Sequence, residues 1–388
     1  MRALTPKIWQ IGVIAPGILI ATCLAEAVLR FMPAESFAYR TWELAIANKT
    51  PATAFRPLSR WVVRRAYGDL ARMGSFITAR EYHDEVFSTD ALGFRNPPGL
   101  LSNTTPKILL FGTSFSVGCG ITDDETLSAF LQQRLQVPVY NAAAPGGSCD
   151  LSLIRSVRKR LGVASGVVLI EVLERGDVPQ NQMNLLASAL EGSGTNTCRS
   201  QAGFSIVDFL EDSKVAMLAR NCCRLRRNGW LLPRRVDVRE RRLLNGDQLL
   251  FLSSHESLAV KPREPRQAIE HWTRFAEALK AENLQVIFFL VPEKPTVYGH
   301  LLSPSLNGEP RKSAFLSGLA KGLTERGISV VNLQEVFWKR AAEDLLRHKY
   351  LYRKDDTHWS PHGIQVAAEE LIPEISSALL SGTQTVSN

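Results

Sequence analysis

The sequence predicts an α/β protein, a three-layer sandwich in which a central parallel sheet lies between two layers of helices. Short apolar runs that fit buried strands alternate with stretches that have the apolar period of a helix. This alternation favours a parallel sheet with right-handed crossover helices. The other two observations are a Gly-Thr-Ser turn directly after the first such run and a Thr-His-Trp triplet near the end of the chain. In open α/β sheets, functional side chains collect at the carboxyl ends of the strands.

The alternating elements fall into two blocks. The first block has predicted strands at residues 108–111, 137–141 and 166–172 and predicted helices at residues 123–135 and 151–161. The second block has predicted helices at residues 266–282, 311–326, 334–345 and 361–379 and predicted strands at residues 285–291 and 328–333. Together the blocks predict five strands in one sheet.

The start of the chain predicts export. With 388 residues and 45% apolar side chains, the chain can bury a sizeable core in one large or two modest domains. Residues 8–24 form an apolar run with Arg2 and Lys7 before it and Glu26 after it. Such a run just reaches the length that spans a bilayer, and basic residues before it direct the rest of the chain outward. We expect residues 1–33 to be a signal anchor or transmembrane segment, with a cleaved signal peptide as the alternative.

The remaining chain divides by its patterning. We expect a lead-in segment at residues 34–105, the main α/β domain at residues 106–380 with an insertion at about 176–265, and a tail at residues 381–388. Within the insertion, residues 220–242 hold nine arginines. Arginine pairs bidentately with carboxylates, so this patch favours an acidic polysaccharide as its ligand. A solvated or membrane-facing surface is the alternative, and nucleic acid is not expected for an exported chain.

The six cysteines suggest disulfides but no metal site. An oxidising compartment would let Cys119 pair with Cys149, because both border loops expected to be neighbours in this fold. Cys198 could likewise pair with Cys222 or Cys223, and buried free thiols are the alternative. The spacings lack the paired ligands of a zinc site, so we expect neither a metal nor a cofactor.

Ser114 and His358 are the candidate catalytic residues. Ser114 follows a buried apolar run and a glycine, and His358 lies two residues after Asp356 and three after Asp355. A serine hydroxyl becomes nucleophilic when a histidine takes its proton and a carboxylate orients that histidine. The residues alone leave Asp356 and Asp355 as alternatives for the acid.

These motifs carry a family resemblance. G-T-S-F-S at 112–116 resembles the first block of the SGNH (GDSL-type) hydrolases, and D-T-H-W-S-P-H-G at 356–363 resembles their last block. The segments V-P-E-K-P-T-V-Y at 291–298 and I-E-V-L-E-R at 170–175 are similar to the SGNH-like O-acetyltransferase domains of bacterial exopolysaccharide export, the alginate acetylation type. The resemblance covers about 86–380 and implies a flavodoxin-like SGNH sandwich. In the alginate proteins D-T-H-W precedes the serine block, whereas here the serine comes first, which points to a sister family with another polymer.

The resemblance implies roles for several residues. The D-T-H-W pattern aligns on Asp356, whereas the general SGNH spacing D-x-x-H fits Asp355. The negative oxygen of the tetrahedral intermediate would be bound by the backbone N–H groups of Ser114 and Gly146.

Further residues are candidates for substrate binding. Ordinary SGNH hydrolases add an asparagine donor from a G-x-N-D block, which this sequence lacks. Arg175 stands at that place and could donate instead, bind a sugar carboxylate or form a salt bridge. Trp359 could stack on a sugar ring or pack in the core. Lys294 and Tyr298 follow a strand and are expected to line the cleft, with a stabilising role as the alternative.

The expected function is that of an exported, membrane-anchored, serine-dependent O-acetyltransferase that modifies a cell-surface or secreted polysaccharide. The catalytic domain would lie in the periplasm of a bacterium, held at the inner membrane by the N-terminal helix or released if that helix is cleaved. A membrane-bound partner would supply the acetyl group, because acetyl-CoA is absent outside the cytoplasm. An SGNH-type carbohydrate esterase and a non-catalytic glycan-binding subunit are the alternatives.

Overall fold

The computed structural model describes residues 6–32, 37–38, 40–47, 53–100, 105–145, 150–176, 213–219, 237–256, 264–304 and 312–384. The chain divides into two compact units. The first, the N-terminal unit, comprises Met1–Tyr39 and Arg199–Arg235. The second, the sheet unit, comprises Arg40–Cys198 and Val236–Asn388.

The N-terminal unit contains the long helix α1, Pro6–Arg30, which has Pro16 inside it. The Glu26 carboxylate of α1 accepts hydrogen bonds from the backbone N–H groups of Lys214 and Val215, both at 3.0 Å. Among the residues that the structure describes, no helix is both long enough and apolar enough to cross a membrane. The predicted transmembrane segment is therefore not supported.

The sheet unit is built on one parallel sheet of five strands. In the part of the chain described, the strands are β1 Arg60–Ala66, β2 His83–Ser88, β3 Ile108–Phe111, β4 Val139–Asn141, β5 Gly166–Leu173, β6 Val238–Arg242, β7 Gln248–Leu252, β8 Leu284–Val291 and β9 Ser329–Asn332. The sheet has the order β4-β3-β5-β8-β9, and each neighbouring pair is parallel. The five strands predicted from the sequence are therefore the five strands of this sheet.

The central position of β5 explains its sequence. Gly166–Leu173 pairs with β3 on one side and with β8 along its whole length on the other. A parallel strand covered on both faces is apolar throughout rather than alternating. All residues of β5 after Gly166 are buried, and the one charged side chain among them is Glu171.

Helices cover both faces of the sheet and surround its carboxyl edge. In chain order they are α2 Thr41–Ala47, α3 Asp69–Met73, α4 Ser114–Val117, α5 Leu127–Leu135, α6 Leu151–Leu161, α7 Ser253–Glu256, α8 Arg266–Lys280, α9 Lys294–Tyr298, α10 Ala314–Thr324, α11 Leu333–Asp344 and α12 Pro361–Gln384. One hydrophobic core includes Leu109 and Phe288, and the other includes Leu110 and Phe289. Successive strand residues thus enter opposite cores, as the two-residue repeat of a strand requires.

Two predicted helices begin later than expected because a hydroxyl side chain caps each of them. The helix predicted at 123–135 is divided at Thr126, whose hydroxyl accepts the N–H of Ala129 at the start of α5. The helix predicted from residue 311 starts after Ser313, whose hydroxyl accepts the N–H of Leu316. A serine or threonine at this place satisfies an N–H that the helix itself leaves unpaired.

The lead-in segment folds as part of the sheet unit from Arg40 onward. Strands β1 and β2 form an antiparallel ribbon outside the main sheet. No role for this segment was predicted, and the structure places Arg40, Gly68, Asp69 and Glu81 against the loop that carries His358.

The described part of the insertion includes an antiparallel hairpin of β6 and β7. Of the predicted arginine patch, residues 220–236 lie outside the described residues. Arg239 and Arg241 form salt bridges with Glu256, and Arg239 also pairs with Asp237. Cys119 is a buried free thiol. Its predicted partner Cys149 lies outside the described residues, as do Cys198, Cys222 and Cys223.

Candidate active site

Ser114 lies on the sharp turn that joins β3 to α4. Gly112 is required at this turn, because a Cβ there would lie 2.5 Å from the Oε2 of Glu171 and equally close to the hydroxyl of Ser116. Glu171 in turn accepts the N–H of Ser116 at 2.8 Å and also bonds the hydroxyl of Thr113. Burial raises the pKa of Glu171. The buried carboxyl of Glu171 thus holds the turn by hydrogen bonds on either side of Ser114, and Ser114 itself lines the pocket.

Ser114, His358 and Asp356 form a continuous hydrogen-bonded relay. The Nε2 of His358 lies 2.7 Å from the Oγ of Ser114, and its Nδ1 lies 2.7 Å from the Oδ1 of Asp356. The same Oδ1 accepts the backbone N–H of His358 at 2.8 Å. The residues therefore have the geometry in which a base takes a serine proton and an acid orients the base.

Asp355, the alternative acid, faces away from this relay. Its Oδ2 accepts the backbone N–H groups of Gly68 at 2.7 Å and Glu81 at 3.0 Å. Of the two neighbouring aspartates, Asp356 is the one that touches His358. Asp355 instead holds the loop against the lead-in segment.

The environment of His358 favours a neutral imidazole. Burial lowers the pKa of His358 to about 4; the charge of Asp69 raises it and that of Arg40 lowers it further. A general base must be neutral to accept a proton, so His358 is ready to act as a base at neutral pH.

Two lead-in residues reach the acid and the histidine, and the sequence did not predict either of them. Arg40 is fully buried, and its Nη2 contacts the Oδ2 of Asp356. The backbone N–H of Asp69 donates to the same oxygen at 3.0 Å. The Oδ2 of Asp69 lies 3.8 Å from the Nδ1 of His358. A lone arginine or aspartate in a segment of mixed composition gives no sequence signal for such a role.

The lead-in segment also fixes the end of the serine turn. Arg95 donates to the carbonyl oxygen of Val117 at 3.2 Å and to that of Ile121 at 2.8 Å, and it also bonds the carbonyl of Gly118. Val117 is the last residue of α4, Gly118 follows it, and Ile121 lies three residues further along the chain. Arg95 thus binds carbonyl oxygens at the end of the short helix, which the helix leaves without a partner, and one in the loop beyond it.

The relay opens into a pocket of about 330 Å³. Ser114 and His358 lie in its wall together with Asp69 and Thr357. The other lining residues are Trp42, Met73, Cys119, Pro145, Arg175, Leu252 and His255. The pocket lining therefore combines apolar and polar side chains around the serine.

Of the two residues predicted to bind the oxyanion or the substrate here, Gly146 and Arg175, the structure describes only Arg175. Gly146 lies outside the described residues, but Pro145 next to it lines the pocket. Arg175 also lines the pocket, and its Nη1 lies 2.6 Å from Glu293. His255 approaches the other oxygen of Glu293 at 2.9 Å. Burial raises the pKa of Glu293, but the hydrogen bond and charge of His255 and the charge of Arg175 hold it below its usual range.

Lys294 and Tyr298 belong to the core, so the prediction that they line the cleft is wrong. The Nζ of Lys294 donates to the carbonyl oxygens of Leu250, Arg353, Lys354 and Asp356 at 2.8 to 3.0 Å. Burial lowers the pKa of Lys294 to about 7. The fully buried Tyr298 accepts the N–H of Leu351 at 2.8 Å. Both residues hold the loop that carries His358.

Trp359 is likewise a core residue rather than a sugar-binding surface. It is 1% exposed, and its ring packs at 5.1 Å from that of Phe115 and 5.5 Å from that of Phe337. The pocket has a different tryptophan, Trp42, in its wall.

Asp69, Asp356 and His358 bring one ligand atom each to within 4.8 Å of one another, a spacing that could hold a metal ion. However, the oxygens of both aspartates already accept hydrogen bonds, and both nitrogens of His358 have partners. A metal would have to displace this network. The arrangement fits proton transfer better than metal binding.

The comparison with protein families agrees with the geometry. A family model described as the SGNH hydrolase-like domain of the acetyltransferase AlgX matches residues 244–387, which is less than half of the chain. The matched part includes Asp356 and His358 but not Ser114. A comparison with curated proteins gives no match.

Three solved structures show weak similarity. An acetyl xylan esterase, AlAXEase, has a TM-score of 0.33 and 11% identity, covering 68% of this chain and 97% of that one. TesA has a TM-score of 0.32 and 13% identity, covering 69% and 96%. A protein of Desulfitobacterium hafniense DCB-2, described as a lipolytic protein of the G-D-S-L family, has a TM-score of 0.29 and 12% identity. The match covers 70% of this chain and 99% of that one. Likeness at these scores supports no assignment by itself.

The family match over residues 244–387, together with the parallel sheet and the Ser-His-Asp geometry, supports an SGNH-like superfamily assignment. An SGNH-type, acyl-handling enzyme is the class that follows from this assignment.

Proposed function

We propose that this protein is a serine-dependent O-acetyltransferase that moves an acetyl group onto a hydroxyl of an exported polysaccharide. The observation that carries the proposal is the relay of Ser114, His358 and Asp356, with both hydrogen bonds at 2.7 Å, beside a pocket of about 330 Å³. The AlgX family description supports acetyl as the acyl group and transfer as the reaction.

The first half of the reaction forms an acetyl-enzyme. The Oγ of Ser114 attacks the acetyl carbonyl while its proton passes to the Nε2 of His358. The carbonyl electron pair moves onto oxygen, and backbone N–H groups at the turn and at the neighbouring loop bind that oxygen. The intermediate collapses as the imidazolium returns the proton to the departing oxygen. Asp356 keeps the ring oriented throughout by holding the Nδ1 proton.

The second half repeats these steps with a new nucleophile. His358 takes the proton of a sugar hydroxyl, whose oxygen attacks the acetyl-serine, and the serine leaves with the proton. If water replaces the sugar, the same residues release acetate, and the protein is an esterase. The choice depends on which molecule occupies the pocket beside Ser114.

Features of the pocket favour a sugar as the acceptor. Trp42, Met73 and Leu252 give its lining apolar side chains, and Arg175 and His255 give it polar ones. Pyranose rings have one apolar face and a rim of hydroxyls, so they suit a site lined by both kinds of side chain.

We also propose that the protein acts outside the cytoplasm and receives acetyl from a membrane-bound partner. This rests on the apolar run at residues 8–24 with basic residues before it. Protease accessibility of the full chain in spheroplasts tests it, since a cytoplasmic protein would stay protected.

The test of the proposed function uses the full-length protein with 4-nitrophenyl acetate, with and without non-acetylated oligosaccharides. One oligosaccharide is neutral and one contains uronic acid. Release of nitrophenol and acetylation of the sugar are followed together, the latter by mass spectrometry. Ser114→Ala is compared with Ser116→Ala, because Ser116 lies on the same turn but outside the pocket wall.

We expect Ser116→Ala to acetylate sugar and Ser114→Ala to lose activity by roughly 10⁴-fold or more. Ester cleavage that depends on Ser114 without acetylated sugar would make the protein an esterase. A folded wild-type protein with no activity in either assay would favour a non-catalytic, glycan-binding subunit.

A further inference from the structure

The charge of Asp356 is already paired before any reaction begins. Its Oδ1 accepts both the backbone N–H and the Nδ1–H of His358. Its Oδ2 accepts the N–H of Asp69 and contacts the guanidinium of Arg40. Asp356 and Arg40 are both fully buried. A buried carboxylate held by arginine keeps the ring in place but contributes little net charge to it.

A second carboxylate faces the same imidazole. The Oδ2 of Asp69 lies 3.8 Å from the Nδ1 of His358, too far for a direct hydrogen bond but close for a charge. Thr357 fixes this carboxylate, because its N–H donates to Oδ1 at 2.8 Å and its hydroxyl donates to Oδ2 at 2.6 Å. These donors are neutral groups, so they hold Asp69 without cancelling its charge.

The other charged groups near the ring of His358 are less suited than Asp69 to stabilise a positive charge on it. The groups that face His358 are Asp356, Asp69, Arg40, Arg175 and Glu171. Arg40 contacts Asp356, and Arg175 pairs with Glu293. Burial raises the pKa of Glu171, which favours its neutral form. Asp69 is the remaining carboxylate, and it also lines the pocket.

We propose that the two carboxylates divide the usual duty of the triad acid: Asp356 orients the ring of His358, and Asp69 stabilises the positive charge that the ring acquires during acyl transfer. The inference rests on the proposed function, in which the proton of Ser114 moves to the Nε2 of His358 as the Oγ–C bond forms. At that moment the ring is an imidazolium, and Asp69 lies beside its Nδ1 edge. When the proton leaves with the departing oxygen, the ring is neutral again.

Asp69 is thus a positioning residue that acts through His358. It comes from the lead-in segment, at the first residue of α3, far from the triad in sequence. Its own pKa agrees with this role: burial raises it, but the charges of His358 and Arg40 and the hydrogen bonds of Thr357 hold it below the usual range. Asp69 is therefore ionised at neutral pH.

The test uses the full-length protein and compares Asp69→Asn with wild type. Asparagine has the shape of aspartate and can still accept the Thr357 N–H, so the change removes the charge and little else. Asp247→Asn is the matched control, since Asp247 bonds Tyr350 and His348 rather than the relay. Two quantities are measured: kcat/KM on 4-nitrophenyl acetate, and the pH at which His358 loses its proton in the phosphonylated Ser114 adduct, followed by NMR.

We expect Asp69→Asn to lower kcat/KM roughly tenfold or more and to lower the deprotonation pH of His358 in the adduct by about 1 to 3 units. Asp247→Asn should match wild type in both. Lowered activity with an unchanged imidazole titration would overturn the proposal, because that result is what a purely structural role of Asp69 would give.

Two further variants keep the outcomes apart. Ser114→Ala tests the proposed function: if it stays active, that function fails, whereas if it is inactive and Asp69→Asn matches wild type, only this inference fails. If Asp69→Asn does not fold, Thr357→Val replaces it in the test. This variant keeps the charge of Asp69 but removes the hydroxyl that donates to its Oδ2. A smaller lowering of the deprotonation pH of His358 in Thr357→Val supports the proposal, and an unchanged deprotonation pH overturns it.

Discussion

The Nζ of Lys294 donates a hydrogen bond to the backbone carbonyl of Asp356 at 3.0 Å. The same ammonium reaches three other carbonyls, of Leu250, Arg353 and Lys354. One buried side chain thereby ties β7 to the loop that carries His358. The sequence predicted that the segment V-P-E-K-P-T-V-Y lines the cleft, but its buried lysine binds the backbone of the loop instead.

Replacing Lys294 should lower the free energy of unfolding of the protein. Lys294→Met leaves four carbonyls without their donor, and unsatisfied buried polar groups are costly. We expect a loss of about 3 to 5 kcal/mol in the free energy of unfolding, measured by urea denaturation of the full chain. Lys312→Met, which removes a surface lysine paired with Glu335, is the control and should change stability by less than about 1 kcal/mol. Equal stability of the two variants would show that the four hydrogen bonds are unimportant.

The pH dependence of the reaction should follow the low pKa of His358. Because burial lowers this pKa to about 4, the base is neutral above that pH and becomes protonated below it. We expect kcat/KM on 4-nitrophenyl acetate to rise with pH through a midpoint near 4 and to be flat from about pH 5 to 7. The measurement uses short assays after a pH jump, so that unfolding does not contribute. A midpoint at the ordinary histidine value would contradict the buried, neutral state of His358.

The two tryptophans near the relay should differ when replaced by alanine. Trp359 is buried between Phe115 and Phe337, so Trp359→Ala should lower the free energy of unfolding by about 3 to 5 kcal/mol. Trp42 lines the pocket, so Trp42→Ala should raise the KM for an oligosaccharide acceptor roughly tenfold with a smaller loss of stability. Calorimetry and acceptor kinetics on both variants make the comparison. The reverse result would favour sugar stacking by Trp359 over the core role that its burial indicates.

Gly68 should tolerate no side chain. A Cβ at this position would lie 1.9 Å from the carbonyl oxygen of Asp355, so Gly68→Ala must push the lead-in segment away from the catalytic loop. We expect lower kcat with a loss of stability of about 1 to 3 kcal/mol or more. Gly99→Ala is the matched control, because a Cβ there meets nothing within 4 Å. Unchanged kinetics in Gly68→Ala would mean that the close approach of the two segments is dispensable.

Much of the sheet could be predicted from the sequence because its signals are local. The apolar runs at Ile108–Phe111 and Leu284–Val291 each predict a buried strand, and both are strands of the central sheet. The helix starts were less predictable, since Thr126 and Ser313 act through single capping hydrogen bonds that leave no periodic signal. Ser114 and His358 were visible because each stands in a short motif whose residues share one loop.

By itself, the sequence determined the α/β class, the five parallel strands and the pair Ser114 and His358, because apolar period and short-range motifs are properties of neighbouring residues. Tertiary structure alone decided which aspartate touches His358, since Asp355 and Asp356 differ only in the direction their side chains face. It also decided that Lys294, Tyr298 and Trp359 are core residues. Arg40 and Asp69 come to the relay from a distant segment, and such contacts depend on how the chain folds back on itself rather than on any local pattern.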